Sequence, residues 1–491
     1  MQELKPSWAF VRWLCVGVAC ASLMTTGVTA QSATLTVLAS FAGTNGSSPW
    51  PGPIIQGSDG NFYGTTLYGG ASTNQGPLGG VGYGTVFRVT PDGVLTCLAS
   101  FMGTNGINPT AGLVEGIDGD FYGSTWYGGA YNLGTLFRVA TNGLLTTLVS
   151  FDGTNGAWPR ASMVRGRDGA MYGTARRGGV SYNDPRAVSP YGLPPGNGCI
   201  FKLTTNGDFS LLYSFTPDTE GSEPMTSLTL ARDGNFYGIA HGGSNGWDLV
   251  FKMTLQGALS PVADLNPALG SAGFANLIEG RDGWFYAMAQ SGTNPSGGIL
   301  RVSASGVQQN LVLFTNYEVA GRSFGAPVEG TDGCIYGVLS GDSPWPNYNS
   351  GSVFQLAPSG TLTTICQFGF TNGAWPTGGM IQGKDGAFYG TTMYGGAYTN
   401  QIGANCGTVY RLNIPSAAAP KLSTPSRSGD NVTLSWSAIP SRTYQVQCAS
   451  KLGESNWTDV GATITADTTV AGISDPSTPG DIRYYRVILL P

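Results

Sequence analysis

Short hydrophobic runs that alternate with polar positions follow one another along most of the chain, separated by turn residues. In the first full unit the runs are Pro53–Gly57, Asn61–Thr66, Gly84–Thr90 and Val94–Phe101, here called strands a, b, c and d. Each is rich in β-branched or aromatic residues and is bounded by Gly, Asp, Asn or Pro, which is typical of strands. After the N-terminal segment there is no apolar stripe at helical spacing. The pattern therefore predicts an all-β chain.

A repeated motif, Asp-Gly-x-(aromatic or aliphatic)-Tyr, sets the period of these runs at about 54 residues. It begins at Asp59, Asp118, Asp168, Asp233, Asp282, Asp332 and Asp385. The Asp-Gly pair between strands a and b predicts a two-residue hairpin turn with positive φ at both positions. Four antiparallel strands per repeat predict one blade of a β-propeller.

The two ends of the repeat region indicate that the blades close into a ring. Leu35–Phe41 resembles a strand d but precedes the first full unit, and the last unit stops at its strand c, Gly407–Leu412. Pairing the two would complete the last blade and cover two exposed sheet edges. The sequence thus predicts a seven-bladed β-propeller over 31–415, closed by the N-terminal strand.

Three stretches carry a resemblance to a known family: Asp59–Thr66, Gly84–Thr90 and Leu145–Phe151. They are similar to the repeats of the bacterial GloVer tandem-repeat proteins, a secreted or surface group called choice-of-anchor. The resemblance covers most of the repeat region. It implies an extracytoplasmic β-propeller and brings no catalytic residues with it. Blades four to six depart from the pattern, and Ala287 replaces the glycine after the motif tyrosine, so the repeat predicts their geometry least well.

The segments that flank the repeats predict export and a second domain. Residues 1–30 have a positive start, a short apolar run (Trp13–Met24) and a small-residue cleavage site before Gln31, as in a signal peptide. No later run is long and apolar enough for a membrane helix. A linker at 416–420 leads to a small all-β unit at 421–491, whose strands resemble those of a fibronectin type III-like sandwich. We expect an exported monomer located outside the cell, at its surface or in the periplasm.

Composition narrows the classes of function. The chain contains 11% charged residues, well below the usual share, and its net charge is −5 without a basic patch, so nucleic acid is not an expected partner. The motif aspartates do not form a calcium loop, and turn chemistry explains them. The six cysteines after the signal segment have no zinc spacing and are expected to be small buried thiols. We expect no metal and no cofactor.

Aromatic residues mark a candidate binding surface. The tight a–b and c–d turns lie on one face of a propeller, and the long, variable b–c and d–a loops lie on the other, where binding usually resides. This loop face carries six aromatic candidates, namely Trp50, Tyr68, Tyr127, Trp158, Trp375 and Tyr394. Such side chains stack on sugar rings, with Asn and Thr nearby for the hydroxyl groups. The alternative is that they pack between blades, since aromatic residues bury large areas.

A charged cluster in the loops of the fourth blade is the candidate for catalysis. Glu223, His241 and Asp248 are the candidates for acid, base or metal ligand, with Arg176 and Arg177 nearby. Asp218 and Glu220 belong to the same loops. The alternative is that these are solvated loop charges. The chain contains no G-x-S-x-G elbow and no P-loop.

Three functional hypotheses follow from the sequence. The first is a non-enzymatic binding or adhesion module, with carbohydrate as the preferred ligand class and a polysaccharide or a surface protein as partner. The second is a glycan-active hydrolase or lyase that uses carboxylates of the fourth blade. The third is a structural or protein-interaction scaffold. The uniformity of the repeats favours the first, because catalysis normally requires a local break in symmetry.

Overall fold

The structure is a computed structural model. It describes residues 33–489 apart from 51, 185–192, 217–220, 243–246, 266–275, 290–296, 315–324, 342–349, 359, 399–405, 415–421, 430, 439–442, 451–456, 469 and 477–482. The signal segment at 1–30 and the linker at 416–420 lie outside this range. No helix occurs among the described residues, which form one compact unit over Ala33–Asn413 and a second that follows it.

The first unit contains seven four-stranded antiparallel sheets. Sheet 1 comprises β2 (Ile55–Gln56), β3 (Phe62–Thr66), β4 (Thr85–Val89) and β5 (Leu95–Ser100). Sheet 2 comprises β6 (Val114–Glu115), β7 (Phe121–Thr125), β8 (Thr135–Val139) and β9 (Leu145–Ser150). Sheet 3 comprises β10 (Val164–Arg165), β11 (Met171–Ala175), β12 (Cys199–Leu203) and β13 (Phe209–Ser214). Sheet 4 comprises β14 (Thr229–Leu230), β15 (Phe236–Ala240), β16 (Leu249–Met253) and β17 (Leu259–Asp264).

Sheet 5 comprises β18 (Ile278–Glu279), β19 (Phe285–Ala289), β20 (Gly298–Val302) and β21 (Gln308–Leu313). Sheet 6 comprises β22 (Val328–Glu329), β23 (Ile335–Leu339), β24 (Ser352–Leu356) and β25 (Leu362–Gln367). Sheet 7 joins β26 (Ile381–Gln382), β27 (Phe388–Thr392) and β28 (Thr408–Asn413) to the N-terminal β1 (Thr34–Ser40). Strand a is thus much shorter than the sequence predicts, with two residues in every sheet. This arrangement is that of a β-propeller.

Strand β1 closes sheet 7 as the sequence predicts. It pairs antiparallel with β28 from Thr34–Asn413 to Ser40–Thr408, and the register shifts between Val37 and Ala39. The corresponding c–d pairs of sheets 1 to 6 shift at the equivalent place, for example between Val86 and Phe87. Strand β1 therefore occupies the position that strand d holds in every other sheet.

The turn between strands a and b differs from the prediction. Gly60 has φ of 87°, but Asp59 is not among the residues with positive φ. The reason lies in the aspartate side chain: Oδ1 accepts the backbone N–H of Asn61 (3.0 Å), and Oδ2 accepts the hydroxyl of Tyr63 (2.7 Å). All seven motif tyrosines donate to their aspartate in this way. The motif therefore fixes a turn and binds it to strand b.

Aromatic contacts join neighbouring sheets. At five junctions the motif tyrosine of one sheet contacts an aromatic first residue of strand b in the next. Tyr63 stacks on Phe121 in this way, with ring centroids 3.9 Å apart. The same contact joins sheet 7 to sheet 1, where Tyr389 stacks on Phe62 at 4.0 Å. A second link, from the backbone N–H of Lys384 to Oε1 of Gln56 (2.9 Å), crosses the same junction. The ring is therefore closed by side chains as well as by β1.

Ala287, which replaces the repeat glycine, is accommodated by a smaller facing residue in sheet 5. In the other sheets a glycine at this position faces an aromatic residue of strand c, and a Cβ on Gly64 would lie 2.6 Å from Cζ of Phe87. In sheet 5 the partner of Ala287 is Leu300, which leaves room for the methyl group. The four-stranded geometry is therefore kept.

The second unit contains two three-stranded sheets. One joins β29 (Ser426–Ser428), β30 (Asn431–Ser437) and β33 (Val470–Pro476), and the other joins β31 (Thr443–Ala449), β32 (Thr458–Thr465) and β34 (Tyr484–Leu489). Residues of both sheets share one hydrophobic cluster, with Trp436 and Leu434 from the first and Tyr444 and Val487 from the second.

The six described cysteines are free thiols. Cys199, Cys334 and Cys406 are buried as expected, whereas Cys97, Cys366 and Cys448 are half-buried. Burial raises the pKa of the Cys199 thiol to about 12, so that this group is not a thiolate at neutral pH.

Candidate functional site

The d–a and b–c loops meet on one face of the first unit, as the strand order predicts. Isolated bridges join the two loops in five repeats, from Ser47 to Tyr68, Ile107 to Tyr127, Ala157 to Arg177, Ser222 to His241 and Ala374 to Tyr394. In these five sheets, a residue one or two positions after the end of strand b therefore lies beside the d–a loop that enters the same sheet. This surface is called the loop face below.

Backbone strain is concentrated at one position of the d–a loops. Five non-glycine residues that each precede a proline have φ between 45° and 57°, namely Ser48, Asn108, Trp158, Glu223 and Trp375. A residue before proline normally adopts an extended conformation. The strain is held by hydrogen bonds to two sheets: the N–H of Trp375 donates to Ser350 O (2.8 Å), and its carbonyl accepts from Met393 N (2.9 Å). Strain of this kind is common at binding sites.

A cavity of about 310 Å³ opens where the loops of sheets 7, 1 and 2 meet. Its lining residues are predominantly apolar or aromatic and comprise Trp50, Leu67, Tyr68, Leu78, Trp126, Trp375 and Met393. Concave sites of this size lined by aromatic residues are the usual form of small-ligand sites. Three of the six aromatic candidates, Trp50, Tyr68 and Trp375, are therefore brought together.

Tyr68 is held in place by its own loop. Its ring packs against Gly80, where a Cβ would approach to 2.3 Å, and its hydroxyl donates to Leu78 O at 3.1 Å. Burial raises its pKa to about 12. The phenol is therefore neutral and rigid at physiological pH, with one ring face already covered by the loop.

The other three aromatic candidates stand behind the cavity wall. Tyr127 and Trp158 pack on each other at 5.6 Å and on Trp126 at 4.9 and 6.0 Å. Tyr394 packs on Trp375 with ring centroids 5.6 Å apart. These three are absent from the cavity lining, and their contacts support the wall residues.

Sequence reasoning missed Trp126, which lines the cavity, and Arg160, which packs on the Trp126 ring. Trp126 directly follows strand b of its sheet, where Leu67 and Met393 stand in sheets 1 and 7. The Arg160 guanidinium lies 3.9 Å from the Trp126 ring centroid and 6.0 Å from that of Trp50. Burial and repulsion by Arg176 lower the pKa of Arg160 to about 10. The interaction with Tyr127 partly opposes this decrease. Alignment of the repeats would have identified both positions. Trp126 aligns with Leu67 and Met393, and Arg160 aligns with Trp50, directly after a proline.

The charged residues lie on the neighbouring side of the loop face. Glu223 bonds two guanidinium groups: Oε2 accepts from Arg176 Nε (2.9 Å) and Nη2 (2.7 Å), and Oε1 accepts from Arg177. By contrast, the described loops around the cavity in sheets 7, 1 and 2 contain no charged side chain. Among the described residues, the loops of sheets 7, 1 and 2 are therefore aromatic and uncharged, whereas those of sheets 3 and 4 carry charged side chains that include Arg160 and Glu223.

His241 and Asp248 form a pair next to Glu223. The imidazole Nδ1 lies 2.5 Å from Oδ1 of Asp248, whose side chain is buried while the imidazole is 51% exposed. The hydrogen bond to Asp248 raises the pKa of His241, and partial burial opposes the rise. Asp218 and Glu220 lie outside the described residues. The structure thus places Glu223, His241 and Asp248 in one cluster, separate from the cavity lining.

Two features of other functional classes are missing from the described residues. No three His, Cys, Asp or Glu side chains come together there as a metal site requires. Within the same part of the chain, no helix is long and apolar enough to cross a membrane.

Several solved structures have a similar fold. They include a protein provisionally described as a gluconolactonase (12% identity, TM-score 0.38, 78% of this chain and 92% of that one), and a PL25 ulvan lyase (11%, 0.36, 68% and 83%). A GH43 β1,3-galactosidase is also similar (10%, 0.32, 64% and 70%). At these identities and scores the likenesses assign no function. No curated protein matches the sequence.

The repeats themselves identify the family. The profile of the Gloeobacter/Verrucomicrobia repeat matches residues 25–184 and 187–348, more than half of the chain. The matched residues include the motif aspartates and tyrosines of sheets 1 to 6, which form the turns and inter-sheet contacts described above. The chain therefore belongs to the Gloeobacter/Verrucomicrobia repeat family.

Proposed function

We propose that the protein is an exported, non-enzymatic binding module whose loop face binds carbohydrate. The observation that carries the proposal is the cavity of about 310 Å³ between sheets 7, 1 and 2, in which Trp50, Trp126 and Trp375 come together. A pyranose ring presents an apolar CH face, which gains contact area and excludes water when it packs on an indole. The strained backbone at Trp375 orients one of these rings in advance.

The remaining parts of the chain fit this role. The segment at 1–30 is proposed as a cleaved signal peptide that exports the protein to the cell surface, the periplasm or the medium. The two sheets after Ile414 are proposed as a fibronectin type III-like sandwich that follows the seven-bladed propeller. The mature protein would act as a monomer, with a polysaccharide or a surface protein as its partner.

The first experiment measures retention and release together. Purified protein is incubated with a panel of soluble and insoluble polysaccharides, and the supernatant is assayed for reducing sugar. Retention without release is expected for a binding module. Release of reducing sugar would replace the proposal by a glycan-active enzyme, and absence of retention on the whole panel would favour a protein partner or a structural role.

Cavity variants test the site. Trp50→Ala with Trp375→Ala removes two contacts worth about 1 kcal/mol each, so that affinity should fall roughly thirtyfold. Trp284→Ala is the matched control, because Trp284 is a half-buried indole in the a–b turn of sheet 5, on the opposite face, with Arg301 4.4 Å from its ring centroid. Both proteins are compared by thermal unfolding and by binding isotherm. Equal affinity of the double variant and the control would assign the tryptophans to packing alone.

A glycan-active hydrolase or lyase is the second candidate, and His241 is the observation that favours it. Its half-exposed imidazole is oriented by a buried carboxylate, as in a general base. Glu223, in contrast, already accepts bonds from two arginines on both oxygens. If the panel shows release, Asp248→Asn should lower its rate at least tenfold and Glu223→Gln less. Full activity in both variants would remove this cluster from consideration.

A further inference from the structure

We propose that the cavity binds a neutral 6-deoxyhexose, a sugar whose exocyclic carbon is a methyl group instead of a hydroxymethyl group. The inference rests on the proposed function and adds the class of sugar and the part of it that the cavity selects. It assigns to Leu78 and Met393 the role of contacting the methyl group, while the indoles of the lining contact the sugar ring.

The loops around the cavity are uncharged along their whole length. The sequence contains no Asp, Glu, Lys, Arg or His in the d–a and b–c loops of sheets 7, 1 and 2, which span 41–53, 67–84, 101–113, 126–134, 368–380 and 393–407. None of the described residues that line the cavity is charged. A carboxylate or sulfate group would therefore lose its hydration there without a countercharge in the lining, which favours a neutral sugar.

The side chains of the lining offer mainly apolar surface. Three of them are apolar and not aromatic, namely Leu67, Leu78 and Met393. Trp126 and Trp375 contribute ring surface, because their indole nitrogens are buried. The hydroxyl of Tyr68 already donates to the carbonyl oxygen of Leu78 at 3.1 Å. A sugar hydroxyl that points into this lining therefore finds few side-chain partners.

The hydroxymethyl group of an ordinary hexose matches such a lining poorly. A hydroxyl that enters apolar surroundings loses its hydrogen bonds to water, and no partner compensates the loss. A methyl group at the same place has no such loss and gains contact with apolar side chains. In a 6-deoxyhexose the methyl group is bonded to the ring itself, so that the CH face and the methyl group form one apolar surface. Indoles together with Leu and Met side chains, as in this cavity, suit that surface.

Leu78 is held in the cavity wall by the backbone of its own loop. It lies in a hairpin of the b–c loop of sheet 1, where an isolated bridge joins Gln75 to Val81. The hydroxyl of Tyr68 ties the carbonyl of Leu78 to the start of the same loop. A wall that is ordered before binding loses less entropy when the ligand enters. Because these bonds use the backbone of Leu78, its side chain can be exchanged without removing them.

The experiment compares sugars that differ by one hydroxyl group. Binding of the full chain is measured by tryptophan fluorescence and by calorimetry to L-fucose and L-galactose, and to L-rhamnose and L-mannose. In at least one pair the 6-deoxy sugar should bind about tenfold more tightly or better, which lies within the discrimination of an apolar pocket against one added hydroxyl. D-Galacturonate should bind no more tightly than D-galactose. Equal affinities within both pairs, a preference for the hydroxylated sugars, or a preference for galacturonate overturns the inference.

Variants then locate the preference. Leu78→Asn and Met393→Gln each offer the hydroxymethyl group a hydrogen-bonding partner, and at least one of them should abolish the preference. Leu144→Asn is the matched control and should leave it unchanged, because Leu144 is 64% exposed and follows the c–d turn of sheet 2 on the opposite face. Thermal unfolding checks that the variants fold. A preference that survives in both lining variants overturns the inference.

The polysaccharide panel separates this inference from the proposed function. If none of the four neutral sugars binds but the panel retains the protein, the inference is overturned and the proposed function stands. If the sugars do not bind and the panel does not retain the protein, both are overturned.

Discussion

His241 is the only histidine of the chain, and its environment combines a buried carboxylate partner with an imidazole that is half exposed. Asp248 faces it directly, Glu223 lies near enough to favour its protonated form, and Arg176 opposes protonation. Because the hydrogen bond to Asp248 is the largest of these influences, the protonated imidazole is the form that the folded protein stabilises.

This geometry predicts a titration that is directly observable. In a protein without an affinity tag, the single imidazole should titrate by NMR with a pKa above its usual 6.5, and Asp248→Asn should bring that pKa down. Because the folded-state pKa is the higher one, the stabilisation is fully present below the unfolded pKa and is lost as the pH rises through the folded pKa. A pKa in the wild-type protein at or below that of Asp248→Asn would contradict the contact.

The sequence predicted the structure well at residues that recur in every repeat and poorly at residues that do not recur. Strands b and c were predictable because a β-branched or aromatic run recurs seven times. The prediction of positive φ at Asp59 was wrong, because the Asp59 side chain is fixed by hydrogen bonds from the Tyr63 hydroxyl and the Asn61 N–H. Arg160 was missed because its interaction with Trp126 joins two repeats that differ at just these positions. A single repeat does not contain that information.

The pairing of strands b and c is kept in a divergent sheet because two facing residues differ together from the repeat. In most sheets a glycine of strand b makes room for an aromatic ring of strand c, and in sheet 5 the pair is Ala287 and Leu300. The total volume is conserved, which is the kind of core exchange that proteins tolerate best. The departure from the repeat at Ala287 is thus a local compensation and leaves the strand pairing unchanged.

A double-mutant cycle tests this pairing. Leu300→Phe should destabilise the protein by about 1–3 kcal/mol, because the ring would meet the Ala287 methyl group. Adding Ala287→Gly should recover much of that loss, since the pair then equals Gly238 and Phe251 of sheet 4. The free energy of unfolding is measured in urea for the wild type, both single variants and the double variant. Strict additivity of the two single effects would contradict the proposed compensation.

On the scale of the whole unit, closure depends on one strand that is far from its partners in sequence. Strand β1 pairs with β28 along its length, and Phe41, which follows it, is buried against Phe87 with ring centroids 5.0 Å apart. The stacking of Tyr389 on Phe62 and the bond from Lys384 to Gln56 join the same two sheets. The strand thus covers the edge of β28 and adds to side-chain contacts that already cross the junction.

Deleting strand β1 and grafting it after β28 distinguishes the stabilisation that comes from its pairing with β28 from any that comes from its N-terminal position. Deletion of residues 33–40, which retains Phe41, should lower the melting temperature by several degrees, because β28 becomes an unpaired edge. Deletion of 1–32 is the control and should have no effect on a strand that begins at Thr34. Grafting Leu35–Ser40 behind Leu412 through a turn like Pro91-Asp92-Gly93 should then restore the melting temperature, since the other sheets place strand d there. An unchanged melting temperature after the first deletion would show that the side-chain contacts alone hold the ring closed. A loss that the graft does not repair would show that the N-terminal position of the strand matters in its own right.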